Sequence, residues 1–147
     1  MTVKKQFEMQ QVLNYRTELE KISKLDFASA KQDLDSATDL LEKEKTETNQ
    51  IAEEFSGRQQ HIDSIFEMQL YADFFVRKRE ELKEQQLRIE ALDRVLEDRR
   101  LDLMQATKEK KVLEQLKDKQ KAAFRREIAH KEGLLLDEIS TQKKGRE

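Results

Sequence analysis

The chain has 147 residues, 41% of them charged and 36% hydrophobic, and its 29 Lys and Arg against 31 Asp and Glu leave a net charge of −2. An average soluble domain is roughly 25% charged and about 45–50% apolar, so this composition does not enclose an ordinary globular core. With no Pro and three Gly, it also lacks the turn residues of an all-β or α/β domain, and what remains is long helix, coiled coil or disorder.

The spacing of apolar residues selects helix. From Phe27 the series Phe27, Ala30, Leu34, Ala37, Leu41, Glu44, Thr48, Ile51, Phe55 alternates steps of three and four, the mark of a heptad seam with its a and d positions on one side. Glu44 and Thr48 weaken it locally. Upstream, Val12, Tyr15, Leu19 and Ile22 keep a 3,4,3 spacing but sit one residue out of phase. A local skip in the supercoil is expected to absorb the difference. This predicts a first helix over about residues 5–55.

The next segment, Phe55 to His61, contains Gly57, which alone among residues 1–132 is glycine. A glycine there can adopt the left-handed conformation that closes a helix, or it can be a helix-interior glycine at a cost of about 1 kcal/mol. The first reading puts a turn at about 56–62, with Asp63 or Ser64 capping the next helix.

A second seam runs Met68, Tyr71, Phe75, Lys78, Leu82, Gln85, Ile89, Leu92, Leu96, Arg99, Leu103, Ala106, Lys110, Leu113. Lys78, Gln85, Arg99, Ala106 and Lys110 make it marginal and adaptable. Beyond Leu113 the register drifts through Leu116, Ala123, Phe124, Ile128, Leu135 and Ile139. The second helix is expected over about 63–141, followed by a fraying basic tail, 142–147. The fold class expected is all-α: a single long antiparallel two-helix coiled-coil hairpin over residues 1–147, with a C-terminal helix overhang. With the turn near residues 58–59, residue i faces roughly residue 117 − i, and 113–141 have no partner in the chain. At about 1.5 Å per residue this overhang is on the order of 40 Å long. Its exposed apolar residues mark either a docking surface or a dimer seam.

Charge is graded along the chain. Residues 1–56 carry 8 basic and 12 acidic side chains, 57–110 carry 11 and 12, and 111–147 carry 10 and 7. The basic end points to an acidic partner. Lys117 to Arg126 contains Lys117, Lys119, Lys121, Arg125 and Arg126 around Phe124. It is a solvated face, a docking surface for an acidic protein or, less in keeping with its composition, a nucleic-acid-binding helix. Phe66, Tyr71, Phe74 and Phe75 cluster at the start of the second helix. At about 100° per residue, Phe74 and Phe75 cannot both enter a two-helix seam. The cluster either packs the hairpin tip or offers aromatic anchors to a partner.

Catalysis and cofactors find no support. Acids and bases spread along rods have no cleft to perturb them. With no Cys and two separated His, 61 and 130, no ligand spacing for a metal is present. There is no glycine-rich phosphate loop. No apolar run approaches the roughly 20 residues of a membrane span, and the polar N-terminus does not read as a signal peptide.

Three regions make the chain similar to a known family. The opening Phe7 to Glu20 looks like a family start in which a Phe is followed by a Leu-x-x-Arg-x-x-Glu pattern, with Leu13 and Arg16 standing at that spacing here. Tyr71-Ala72-Asp73-Phe74 forms a Tyr-x-x-Phe element just past the turn. Leu113-Glu114-Gln115-Leu116 is followed by a late Asp137-Glu138. In this order and in a chain of this size, these resemble the flagellar export protein FliJ. The resemblance implies a non-enzymatic stalk of the flagellar type III export apparatus, without cofactors. Such a stalk inserts its paired termini into the export ATPase ring and promotes ring assembly and activity. It also contacts the membrane export-gate protein and cycles export chaperones. By the same resemblance Tyr71 and Phe74 are expected near the gate-binding surface, and Met68 and Phe75 beside them complete that candidate set. Leu113, Leu116, Lys117 and Lys121 are expected near the ATPase, with Phe124, Arg125 and Arg126 of the same basic segment as further candidates. Lys78 and Glu81 depart from the family pattern, which favours small or apolar residues there. The implied location is cytoplasmic, peripheral on the membrane at the flagellar base, without membrane insertion and without nucleic acid. The equivalent stalk of a virulence secretion system and a generic dimeric coiled-coil scaffold are the alternatives.

Overall fold

A computed structural model describes residues 7–145. It contains two helices, α1 (Gln10–Arg58) and α2 (Ile65–Gly145), which pack against each other, with no strand among the described residues. α1 begins at Gln10 rather than near Lys5, because residues 7–9 form a turn in which the Gln10 amide donates to the Phe7 carbonyl at 3.0 Å; residues 5–6 of the expected helix and 146–147 of the expected tail lie outside the described residues.

Several boundaries differ from the sequence expectation. α1 runs through Gly57 to Arg58, and the turn occupies 59–64 rather than 56–62. Gly57 is an ordinary helical residue, since no described residue has a positive φ. A helix closes without a left-handed residue when its last carbonyls find other donors, and here the amide of His61 donates to the carbonyl of Arg58 at 2.8 Å. Of the two expected caps, Ser64 serves: the amide of Glu67 donates to its Oγ at 3.4 Å. Ser64 and Glu67 stand at capping-box spacing. α2 begins at Ile65 and continues helically through 142–145, where fraying was expected.

The contacts divide the chain into two compact units, residues 23–103 and residues 1–22 with 104–147. In the first, the seam of α1 is legible in its burial. Ala30 and Leu41 are buried, and Phe27, Leu34, Ala37, Glu44, Thr48, Ile51 and Phe55 are half-buried. On α2 the positions Tyr71 to Leu96 of the expected seam are half-buried, whereas Met68 and Arg99 are exposed. At the polar layer, the Gln85 amide donates to Glu44 at 2.6 Å.

In the second unit α1 keeps the same phase instead of skipping. Leu13, Arg16 and Glu20, with Ser23 of the first unit, continue the 3–4 pattern back from Phe27 and are buried or half-buried, as are Thr17 and Leu19 beside them. Val12, Tyr15 and Ile22 are exposed. The physical reason lies on the facing helix. Lys110 donates to Glu20 at 2.9 Å, Arg16 pairs with Glu109, and Lys117 donates to Gln10 at 2.7 Å. An a/d position filled by a charge is acceptable when the opposite helix supplies its counter-ion.

These pairs also correct the register. Gln10 meets Lys117, where the relation 117 − i places residue 107. The longer α1 and the later turn account for the displacement. Leu113, expected on the overhang, is therefore buried against α1 at 7% exposure. The segment with no described residue of α1 opposite it begins past Lys117.

Candidate docking surfaces

The first candidate surface is the aromatic cluster beside the turn. Phe55 of α1 holds it together, with its ring centroid 4.9 Å from Tyr71 and 5.9 Å from Phe75. Phe74 meets Phe75 edge-on at 5.5 Å. Arg77 and Lys78 lie over the Phe74 ring at 5.9 and 6.0 Å, which uses the negative face of the ring. Lys78 also pairs with Glu81 at 3.1 Å. The two residues that depart from the family pattern thus neutralise each other. Neither Phe74 nor Phe75 is fully exposed: both are half-buried, one toward the seam and one along the flank.

Tyr71 is anchored at both ends. Its ring packs against Phe55 at a tilt of 41°, and its hydroxyl accepts a hydrogen bond from Arg58 at 3.2 Å. Arg58 also pairs with Glu67 at 2.9 Å. The Arg58 guanidinium is held above its ordinary value first by Tyr71 and then by Glu67. Arg58 sits in the last turn of α1 and Glu67 in the first turn of α2, so each charge also complements the dipole of its own helix end. These contacts tie Tyr71 and Glu67 of α2 to the end of α1 across the turn. Beside them Ile51, Glu67, Leu70, Tyr71 and Phe74 line an open groove of about 330 Å³. In the first turn of α2 Ile65 and Phe66 are 83% and 71% exposed. Of the residues expected at this surface, Tyr71 and Phe74 line the groove, Phe75 packs inward, and Met68 is exposed. Leu70 was missed, because it lies off the heptad seam.

The second candidate surface is α2 past Lys117. Lys121, Arg125 and Arg126 are exposed, and Phe124 is half-buried. Leu116, Ile128, Leu134, Leu135, Leu136 and Ile139 are exposed. Leu113 and Lys117 are separated from the others of that expected set: one is in the seam and the other is hydrogen-bonded to Gln10. The ionic residues Arg16, Glu20 and Glu109 were missed. Their only sequence signal is that Leu13, Glu20 and Phe27 lie seven residues apart.

Among the described residues no group of three or more His, Cys, Asp or Glu is placed to hold a metal, and no helix is long and apolar enough to cross a membrane. The family model described as flagellar FliJ protein matches residues 5–147. The chain belongs to the flagellar FliJ protein family. It is therefore a component of the flagellar type III export apparatus, serving flagellum assembly, protein export and motility. The family is a non-catalytic one. Both surfaces described above lie within the matched span. No curated protein and no solved structure gave a match.

Proposed function

We propose that the chain is the stalk and coupling factor of the export ATPase, working on the cytoplasmic side of the membrane at the flagellar base. In this role the C-terminal part of α2 enters the ATPase ring and promotes its assembly and activity, the aromatic cluster contacts the membrane export gate, and the chain helps export chaperones to cycle. One observation carries the reading. Past Lys117, α2 exposes Lys121, Arg125 and Arg126 together with Ile128, Leu135 and Ile139, with no described residue of α1 opposite. A helix gains little by exposing such residues alone, whereas an acidic or polar channel lined with apolar patches satisfies both kinds of side chain.

The test is to titrate the purified chain into the export ATPase of the same organism and follow ATP hydrolysis. Saturable stimulation at far less than one chain per ATPase subunit is expected. Replacing Lys121, Arg125 and Arg126 with Glu should abolish it while helicity by circular dichroism is retained. Unchanged stimulation removes the C-terminal helix from this role. In a parallel binding measurement Phe74→Ala should weaken affinity for the gate protein, and unchanged affinity assigns the cluster to packing alone.

A further inference from the structure

The first turns of α1 carry two seams one residue apart. The seam in use is Leu13, Arg16, Glu20 and Ser23, of which Leu13 and Glu20 are buried. The other is Val12, Tyr15, Leu19 and Ile22, with the same 3–4 spacing. It is the more apolar of the two, yet Val12, Tyr15 and Ile22 stand 41%, 59% and 53% exposed and Leu19 alone of the four is half-buried. The unused seam runs into Phe27 with a step of five instead of four. One extra residue in a helical turn is what a π-bulge supplies, and such bulges occur as single turns inside α-helices. A bulge between Ile22 and Phe27 would rotate the preceding segment by about 100° and bring Val12, Tyr15, Leu19 and Ile22 onto α2.

We propose that this segment of α1 is a two-position element. The observed position is held by ionic layers, and a π-bulged position is held by apolar packing. The balance is close for physical reasons. In the observed position Glu20, 4% exposed, is desolvated against Lys110, and Arg16–Glu109 and Gln10–Lys117 add two further polar layers. Exchanging a buried ion pair for well-packed apolar side chains is often neutral or stabilising. In the second position Glu20 and Arg16 return to water, and Val12, Tyr15 and Leu19 take the places of Leu13, Arg16 and Glu20 against α2. Lys110 and Lys117 carry their ammonium groups to the edge on flexible stems. The two positions also present different outer faces, apolar in the first and charged in the second. A partner that reads either face selects that position by its differential affinity.

The chain has no cysteine, so introduced pairs report without background. In the full chain, Leu13→Cys with Leu113→Cys reports the observed position, and Val12→Cys with Leu113→Cys reports the rotated one. Glu18→Cys with Leu113→Cys is the control for simple separation of the helices. A disulfide needs Cβ atoms about 3.5–4.5 Å apart, which separates neighbouring positions on one helix. Raising salt from about 0.05 M to about 1 M shortens the screening length from more than 10 Å to about 3 Å and weakens the ionic layers. The expected result is that Val12–Leu113 cross-linking rises several-fold while Leu13–Leu113 cross-linking falls and the Glu18 control stays flat. Adding Glu20→Leu and Lys110→Leu, which makes the observed seam apolar, should suppress the rise. No Val12–Leu113 cross-link at either salt overturns the proposal. So does a rise matched by the Glu18 control, which would show fraying instead of rotation. Circular dichroism of each variant confirms that helix is retained.

Discussion

Gly57 separates local propensity from tertiary context. Its φ is negative, and an added Cβ would meet no heavy atom within 4 Å. Gly57→Ala should therefore stabilise the protein by about 0.5–1 kcal/mol, the entropic penalty of glycine inside a helix. A rise in thermal midpoint checks it, and a fall would mean that the residue needs conformations closed to alanine. Ser64→Ala should act in the opposite sense, costing about 1 kcal/mol by leaving an α2 amide unpaired. Denaturant titrations of the two single variants give both signs. Gly57 was read as the closing residue of the first helix because glycine is the commonest residue in that role. Nothing in its neighbours showed that Arg58, tied to Glu67 and Tyr71, would finish the helix instead.

At the scale of the element, the seams explain what periodicity shows and what it hides. Phe27 through Phe55 read correctly from spacing alone, because each position is apolar or flanked by apolar ones and one face must leave water. Even Glu44 and Thr48, counted as weaknesses, occupy seam positions. Upstream the same rule chose Val12, Tyr15, Leu19 and Ile22, of which Leu19 alone is half-buried and the other three are exposed. Spacing within one helix ranks faces by hydrophobicity, and it does not see that Glu20 finds Lys110 and that Arg16 finds Glu109 across the interface. The site residues divide in the same way. Tyr71 and Phe74 were legible as an aromatic cluster with one member off the seam. The placement of Leu113 depended on a register that only the turn length decides.

The Glu20–Lys110 pair has a pH signature. Lys110 is held above its ordinary value of 10.5, first by the hydrogen bond to Glu20, and burial opposes this. A lysine raised in the folded state contributes stability that is fully present below its unfolded value and is lost as pH rises through its folded value. Thermal midpoints should therefore fall above about pH 10.5 more steeply in the wild type than in Lys110→Met. Parallel slopes for the two proteins between pH 9 and pH 12 would mean that the pair contributes nothing to stability. The outward pairs, such as Lys21–Glu18 at 3.1 Å, are exposed to screening and add little.

For the molecule as a whole the shortage of core is the governing quantity. Among the described residues the buried apolar side chains are Leu13, Ala30, Leu41 and Leu113, and the rest of each seam stays half in water. Heat-capacity change on unfolding follows the apolar surface that unfolding exposes. The calorimetric value should therefore fall below the about 12–15 cal/mol/K per residue of globular domains. A value inside that range would mean that the chain buries more surface in solution, as self-association would cause. A chain with little core has little rigidity to lose when a partner reshapes it, and this suits a component that works inside an export apparatus.

The turn offers a practical handle. Residues 59–64 connect α1 to α2 with no left-handed residue, and all but Ile62 are exposed. Its closure relies on bonds made by Arg58 and Ser64, which flank the loop's middle. The junction between Ile62 and Asp63, after the His61–Arg58 hydrogen bond and before the Ser64 cap, is thus a splice point for foreign sequence. An epitope or fluorophore-binding peptide placed there lengthens a loop, and each doubling of loop length costs only about 0.6 kcal/mol. The seam register is recorded by the Gln85–Glu44 pair in one unit and by the Lys117–Gln10 pair in the other, so a tag at this point need not renumber either one.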